Sequence, residues 1–137
     1  MVLVDTSIWI DFFQAPESHT GSALESLIKD HNSVAICGIV LQEVLQGIRI
    51  QKSFELVRER LLKFPFVDAN LSTWLLAASL YRDLRTKGIT MPPVDVTIAA
   101  IAILNDMPLF SRDVHFEEVA QVSGLRLYDG YSNRDTK

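Results

Sequence analysis

Short apolar runs alternate along the chain with longer segments in which apolar residues recur every three or four positions. The runs predict buried strands, and the longer segments predict amphipathic helices. The predicted strands are 2–4, 34–36, 64–67, 109–111 and 125–128, and the predicted helices are 6–13, 22–31, 39–48, 52–63, 72–87, 93–104 and 116–122. Alternating strands and helices are typical of an α/β fold, here with a central, mostly parallel sheet of four or five strands.

Length and composition predict one domain with one core. The chain has 137 residues, of which 48% are hydrophobic, so residues 1–129 are expected to form a single domain. Residues 130–137 are expected to form a polar C-terminal tail. No apolar run approaches the roughly 20 residues needed to span a bilayer. The lone Cys37 excludes an internal disulfide and a cysteine-based zinc site, and it favours a cytoplasmic location.

The net charge of −4, from 17 acids and 13 bases, is unusual for a protein that binds nucleic acid. Four acids nevertheless fall in a distinct pattern, and without them the acids and bases balance. Basic residues are concentrated between Arg49 and Lys63. We therefore expect modest affinity for nucleic acid that weakens with salt.

Four acids occupy positions where a strand ends or on helices that follow strands. Asp5 follows the first strand and Asp113 follows the strand at 109–111, while Asp95 opens a helix and Glu43 lies on the flank of another. In parallel sheets ligands bind beyond the carboxyl ends of the strands. Carboxylates gathered there repel one another unless a hard divalent cation lies among them. The pattern therefore predicts metal-assisted phosphodiester chemistry, which indicates a nuclease.

Each acid also has a structural explanation when it is considered alone. Asp5, Asp95 and Asp113 are suitable for helix N-termini, and Glu43 suits a solvated helix flank. Two alternative functions stay open. One is a phosphatase or phosphoryl-transfer enzyme with Asp5 as nucleophile, although the usual second Asp is replaced by Ser7. The other is a non-catalytic binding module.

Four sequence motifs, taken in order, resemble the PIN-domain pattern. They are Val4-Asp5-Thr6-Ser7, Leu41-Gln42-Glu43-Val44-Leu45-Gln46-Gly47, Pro93-Val94-Asp95-Val96-Thr97-Ile98-Ala99-Ala100 and Ser111-Arg112-Asp113-Val114-His115-Phe116. More narrowly, the chain is similar to the VapC-type toxins of type II toxin–antitoxin systems. The resemblance extends over essentially the whole chain. It implies a three-layer α/β/α fold and an endoribonuclease dependent on Mg²⁺ or Mn²⁺.

The resemblance also implies roles for the acids. Asp5, Glu43, Asp95 and Asp113 match the catalytic quartet of the family. Of these, Asp5, Asp95 and Asp113 would bind the metal, and Glu43 would do so directly or through water. The metal-activated water would hydrolyse RNA, either tRNA or another structured RNA. Whether one or two ions act stays open at this point.

Further residues receive supporting roles from the same resemblance. Thr6 or Ser7 would order the attacking water, with help from Ser111. Apart from the resemblance, Arg112 beside Asp113 has two interpretations: contact with the substrate backbone, or a solvated surface side chain. His115 stands where relatives often carry Asp, and we expect it to form a local hydrogen bond rather than to bind metal. The expected partners are an RNA substrate, a small VapB-like antitoxin in a groove near the acids, and a second copy of the chain.

Overall fold

The computed structural model describes residues 1–30 and 34–130, which form four strands and seven helices. The strands are β1 (Val2–Val4), β2 (Val34–Cys37), β3 (Phe66–Val67) and β4 (Leu109–Phe110). The helices are α1 (Thr6–Gln14), α2 (His19–Lys29), α3 (Gly38–Gln46), α4 (Gln51–Leu61), α5 (Leu71–Thr86), α6 (Pro93–Leu104) and α7 (His115–Val122). The predicted polar tail lies, apart from Gly130, outside the described residues.

The four strands form one parallel sheet in the order β3-β2-β1-β4. The chain moves from β1 through β2 to β3 on one side, and then crosses to place β4 on the other side of β1. This reversal creates a crevice at the carboxyl ends of β1 and β4, where open α/β sheets bind ligands. The predicted α/β fold with a mostly parallel sheet is confirmed.

Helices cover the sheet and form the outer layers of an α/β/α arrangement. Helix α1 packs against α2 and α3, and α5 packs against α6. Every residue of β1 and β2 is buried, as expected for a parallel sheet covered on both faces. In α6, all residues from Val96 to Ala102 are buried, so this helix lies deep in the core. Among the described residues, no helix is long and apolar enough to cross a membrane.

Two predicted boundaries are wrong for identifiable reasons. Residues 125–128 make only an isolated bridge between Leu127 and Leu109 and do not form a fifth strand, because β4 is two residues long and offers a short edge. Helix α5 begins at Leu71, one residue before the predicted start of 72–87, and is capped by Asn70. Asn70 and Thr73 bind each other's backbone N–H in a reciprocal capping box, which satisfies two donors that the helix leaves free.

Candidate acidic active site

Asp5 is the most buried acid of the predicted quartet. Its backbone N–H donates to the Phe110 carbonyl oxygen at 2.9 Å, which ties the end of β1 to the end of β4. Asp5 occupies the N-cap position of α1, yet its side chain makes no capping hydrogen bond. The structural explanation of Asp5 as a capping side chain is therefore wrong. The residue as a whole is buried, with 8% of its surface exposed.

Ser111 links two of the acids. Its hydroxyl donates to Asp5 Oδ2 at 2.7 Å and accepts from the Asp113 backbone N–H at 3.0 Å. The residues that follow β1 and β4 are thus held together by one side chain. Burial raises the pKa of Asp5, the Ser111 hydrogen bond opposes that rise, and the charges of Glu43 and Asp113 add to it. Asp5 therefore lies within electrostatic reach of two other predicted acids.

Glu43 faces the same crevice although it comes from a different helix. Thr6 Oγ1 donates to Glu43 Oε1 at 2.7 Å, which joins the first turn of α1 to the middle of α3. Because the hydrogen bond fixes one carboxylate oxygen beside the residue that follows Asp5, Glu43 is not a freely solvated side chain. Gly47, one turn further on, ends α3.

Asp95 shows the electrostatic effect of the cluster most clearly. Desolvation, followed by the charges of Asp5, Asp113 and Glu43, raises the pKa of Asp95 to about 6, and His115 partly opposes the rise. A carboxyl group in the first turn of a helix would ordinarily be stabilised as an anion by the helix dipole. The structure therefore brings all four predicted acids into one electrostatic cluster.

Asp113 and His115 form a local pair. Asp113 Oδ1 accepts from the His115 backbone N–H at 3.0 Å and lies 2.8 Å from His115 Nδ1. Both contacts use the same carboxylate oxygen, so Oδ2 is not occupied by either. His115 is an exposed residue that orients Asp113, which agrees with the predicted local hydrogen bond.

Two residues near the acids were missed from the sequence. Asp11 Oδ2 accepts from Thr20 Oγ1 and forms an ion pair with Arg112 Nε at 3.0 Å. The available signal was Asp11 itself, because a carboxylate inside the apolar segment Ile8–Phe13 needs a partner. Arg112, predicted to contact substrate, is thus anchored to α1.

The donor set suits a hard divalent cation, since all four side chains offer carboxylate oxygens. Among residues 1–30 and 34–130, no three His, Cys, Asp or Glu side chains are arranged to enclose an ion. Mg²⁺ does not require such an arrangement, because it keeps several waters and uses one or two carboxylates. The Ser7 hydroxyl is buried without a protein partner in the described region, as expected for a group whose partner is water.

A groove adjoins the acids on the side of α1, α3 and α4. Its volume is about 610 Å³, and Glu43 lies in its wall. Most of the other lining residues are apolar, and two are arginines: Ile10, Phe13, Val44, Ile48, Arg49, Ile50, Leu56, Val57 and Arg60. Arg60 lies over the Phe12 and Phe13 rings at 5.2 and 5.1 Å from their centroids, which fixes its charge at the groove. The groove is therefore apolar, with cations along it and a carboxylate at the acidic site.

The chain is similar over most of its length to known proteins. The family model of the PIN domain matches residues 2–122. Ribonuclease VapC11 of Mycobacterium tuberculosis is 28% identical over 92% of this chain and 96% of its own length. Ribonuclease VapC1 of Methanocaldococcus jannaschii is 27% identical over 93% of this chain and 87% of its own length. Among solved structures, VapBC2 of Rickettsia felis bound to a promoter DNA fragment superposes with a TM-score of 0.75 at 22% identity, covering 93% of this chain and 98% of that one.

Proposed function

The chain belongs to the PIN-domain family, and on that premise we propose that it is a divalent-metal-dependent endoribonuclease, the toxin of a toxin–antitoxin pair. One arrangement carries the proposal: Ser111 joins Asp5 to Asp113, Thr6 holds Glu43 next to Asp5, and the pKa of Asp95 is raised by burial and by these neighbouring carboxylates. Such a cluster is unfavourable without a cation. The ribonuclease names of the curated relatives support RNA as the substrate.

In this proposal the acids bind the ion, and neighbouring hydroxyl side chains form hydrogen bonds to the acids. Asp5, Asp95 and Asp113 would hold Mg²⁺ or Mn²⁺, each either directly or through one of its waters, and Glu43 would contact it directly or through water. Thr6 fixes Glu43, and Ser7 or Thr6 orients the attacking water, while Ser111 aligns Asp5 with Asp113. The ion supplies a water of lowered pKa and offsets charge on the phosphate. The proposed location is the cytoplasm, and the proposed domain spans 1–129.

The decisive experiment compares RNA cleavage by the wild type and Asp5→Asn in Mg²⁺, in Mn²⁺ and in chelator. We expect cleavage by the wild type in either metal and at least about a hundredfold loss in Asp5→Asn. Asp106→Asn is the matched control, because it removes the charge of a carboxylate that is 94% exposed and precedes β4, at the end of the strand away from the acids. Sequencing of the RNA ends tests tRNA as the target. Full cleavage in chelator would refute the proposal.

The groove beside Glu43 supports the antitoxin as a partner. We propose that a VapB-like antitoxin lays an apolar segment against Leu56 and Val57 and extends a cationic side chain to Glu43. The pairing of a cation with carboxylates would block the ion site. Names of VapBC complexes among structural relatives support this choice of partner.

The antitoxin proposal is tested by co-purification of the antitoxin candidate with groove variants. Leu56→Asp should abolish co-purification, because it places a charge on the apolar wall. Leu62→Asp is the control, since Leu62 is similarly exposed near the end of the same helix, at 65% against 55%, and does not line the groove. Equal retention by both variants would exclude this surface.

A second apolar surface supports the proposed homodimer. Leu71, Trp74, Leu75 and Ala78 are exposed on α5, and at about 100° per residue they lie within an arc of roughly 100°. The opposite face of α5, which carries its four buried residues, packs into the core. We propose that two copies pair α5 antiparallel across this arc.

Antiparallel pairing centred between Leu75 and Ala78 brings Asp68 of one copy near Arg85 of the other. This charge complementarity favours the antiparallel two-fold arrangement. Leu75→Glu should convert the dimer to a monomer in light scattering after size-exclusion chromatography, whereas Leu62→Glu should not. A dimer that persists in Leu75→Glu would require a different interface.

A further inference from the structure

The Arg112 side chain is held by Asp11 of helix α1, which is itself bound by Thr20 of helix α2. Its Nε contacts Asp11 Oδ2 at 3.0 Å, and the same carboxylate oxygen accepts from Thr20 Oγ1. The Asp11 side chain is only 17% exposed, whereas that of Arg112 is 54% exposed. A shielded carboxylate that accepts a hydrogen bond from Thr20 thus forms an ion pair with a largely solvent-accessible guanidinium.

Arg112 lies between two residues of the acidic site, but its side chain pairs with neither of them. Ser111 binds Asp5 and Asp113 belongs to the acidic cluster, so the residues on either side of Arg112 face the crevice. Arg112 lies in a bend between them, and its side chain pairs with Asp11 of α1 and not with the acids of the cluster. Its positive charge therefore stays beside the acidic cluster without neutralising it.

The contact with Asp11 uses Nε and leaves the terminal Nη groups for another ligand. A guanidinium presents planar donors that match the oxygens of a phosphate. A cavity of about 540 Å³ lies alongside; its wall includes Thr20, Ser111, Arg112 and Asp113, together with the acids Glu117 and Asp129 and several apolar residues. It offers space next to the acids for a neighbouring nucleotide of a bound strand.

We propose that Arg112 binds a backbone phosphate of the RNA adjacent to the one that is cleaved, and that Asp11 and Thr20 are positioning residues for Arg112. The inference rests on the proposed ribonuclease function and deepens it. A phosphate contact positions the strand and carries no base preference. Asp11 would thus strengthen RNA binding although its own charge repels RNA.

The test is RNA binding by fluorescence anisotropy in chelator, where cleavage does not interfere, over a series of salt concentrations. Arg112→Gln should weaken binding about 5- to 10-fold for oligonucleotides of different sequence. The slope of log K against log salt should fall by about 0.7 to 0.9, as expected for one lost phosphate contact. Arg126→Gln is the control, because Arg126 forms a similar exposed pair with Asp106, which precedes β4 at the end of the strand away from the acids, and it should change binding less than twofold.

The Asp11→Asn variant distinguishes a positioning role of Asp11 from a direct effect of its negative charge on RNA binding. If Asp11 were a bystander, removing its negative charge would tighten RNA binding. We expect the opposite, a 3- to 5-fold weakening, with a smaller weakening in Thr20→Val. In Asp11→Asn/Arg112→Gln we expect no loss beyond that of Arg112→Gln, because both changes remove the same contact. Circular dichroism melts of each variant verify that the fold is retained.

The outcomes are distinguishable. Tighter or unchanged binding by Asp11→Asn overturns the positioning role, and unchanged binding and salt slope in Arg112→Gln overturn the phosphate contact. An Arg112→Gln effect confined to one base sequence also overturns it. If the wild type neither binds RNA in chelator nor cleaves it in Mn²⁺, the proposed function itself fails.

Discussion

Replacing Asp95 by Asn should stabilise the metal-free protein while it weakens metal binding. The pKa of Asp95 is raised from 3.8 to about 6 in the folded protein. A difference of about two pKa units corresponds to at most about 3 kcal/mol. Because Asp95 is only half-buried, solvent screening reduces this to roughly 1.5 kcal/mol. Loss of a favourable helix-dipole interaction opposes it by up to about 0.5 kcal/mol.

The expected net stabilisation by Asp95→Asn is therefore about 1 kcal/mol. For a chain of this length the unfolding entropy is about 0.3 kcal/mol per kelvin, so the melting temperature should rise by about 3 °C in chelator at pH 7.5. The sign follows from linkage: a carboxyl with a raised folded-state pKa destabilises the protein fully above pH 6. That cost disappears as the pH falls below the unfolded value of 3.8. The stabilisation of Asp95→Asn relative to the wild type should accordingly vanish near pH 4.

The assay is thermal unfolding by circular dichroism, with wild type and variant compared at each pH. Saturating Mn²⁺ should raise the wild-type melting temperature and raise that of Asp95→Asn less. The reasoning is refuted if Asp95→Asn melts lower than wild type in chelator at pH 7.5, since the helix dipole would then dominate. It is also refuted if the difference is the same at pH 4 and pH 7.5.

Three further predictions concern packing, capping and the site. Leu61 is fully buried, so Leu61→Ala should cost about 2–5 kcal/mol of unfolding free energy in urea titrations; a cost below 1 kcal/mol would contradict its place in the core. Asn70→Ala removes the capping box of α5 and should cost about 1 kcal/mol in the same titration, and no measurable change would indicate that the cap is redundant. His115→Ala should reduce Mn²⁺ affinity in calorimetry by less than about tenfold, because the backbone N–H still holds Asp113. Asp113→Asn should cost more, and the reverse order would identify His115 as a ligand.

Much of the fold follows from periodicity. The predicted β1 at 2–4 and α6 at 93–104 coincide with the observed elements, because an apolar run and a Pro-initiated apolar helix are strong local signals. The start of α5 was less predictable, since Asn70 and Ser72 are both suitable N-caps, and the reciprocal hydrogen bonds between Asn70 and Thr73 favour Asn70. Residues 125–128 have strand-like composition, but β4 gives them a single bridge.

The acids could be found from the sequence, whereas their environment could not. Position after a strand made Asp5 and Asp113 candidates, and the order and spacing of the four acids, together with the family resemblance, selected the set. The hydrogen bond from Thr6 to Glu43 spans 37 residues, and the contact of Arg112 with Asp11 joins the β4–α7 connection to α1. Such contacts depend on how helices are oriented on the sheet, and no local pattern encodes that orientation.

Anomalous diffraction from crystals soaked in Mn²⁺ tests most directly whether one divalent ion is shared by the acids. We predict a peak at about 2.0–2.3 Å from carboxylate oxygens of at least two of Asp5, Asp95 and Asp113, with Glu43 contacting the ion or one of its waters. A protein that cleaves RNA while its crystals hold no ion among these side chains, or hold one elsewhere, would contradict the role proposed for the cluster.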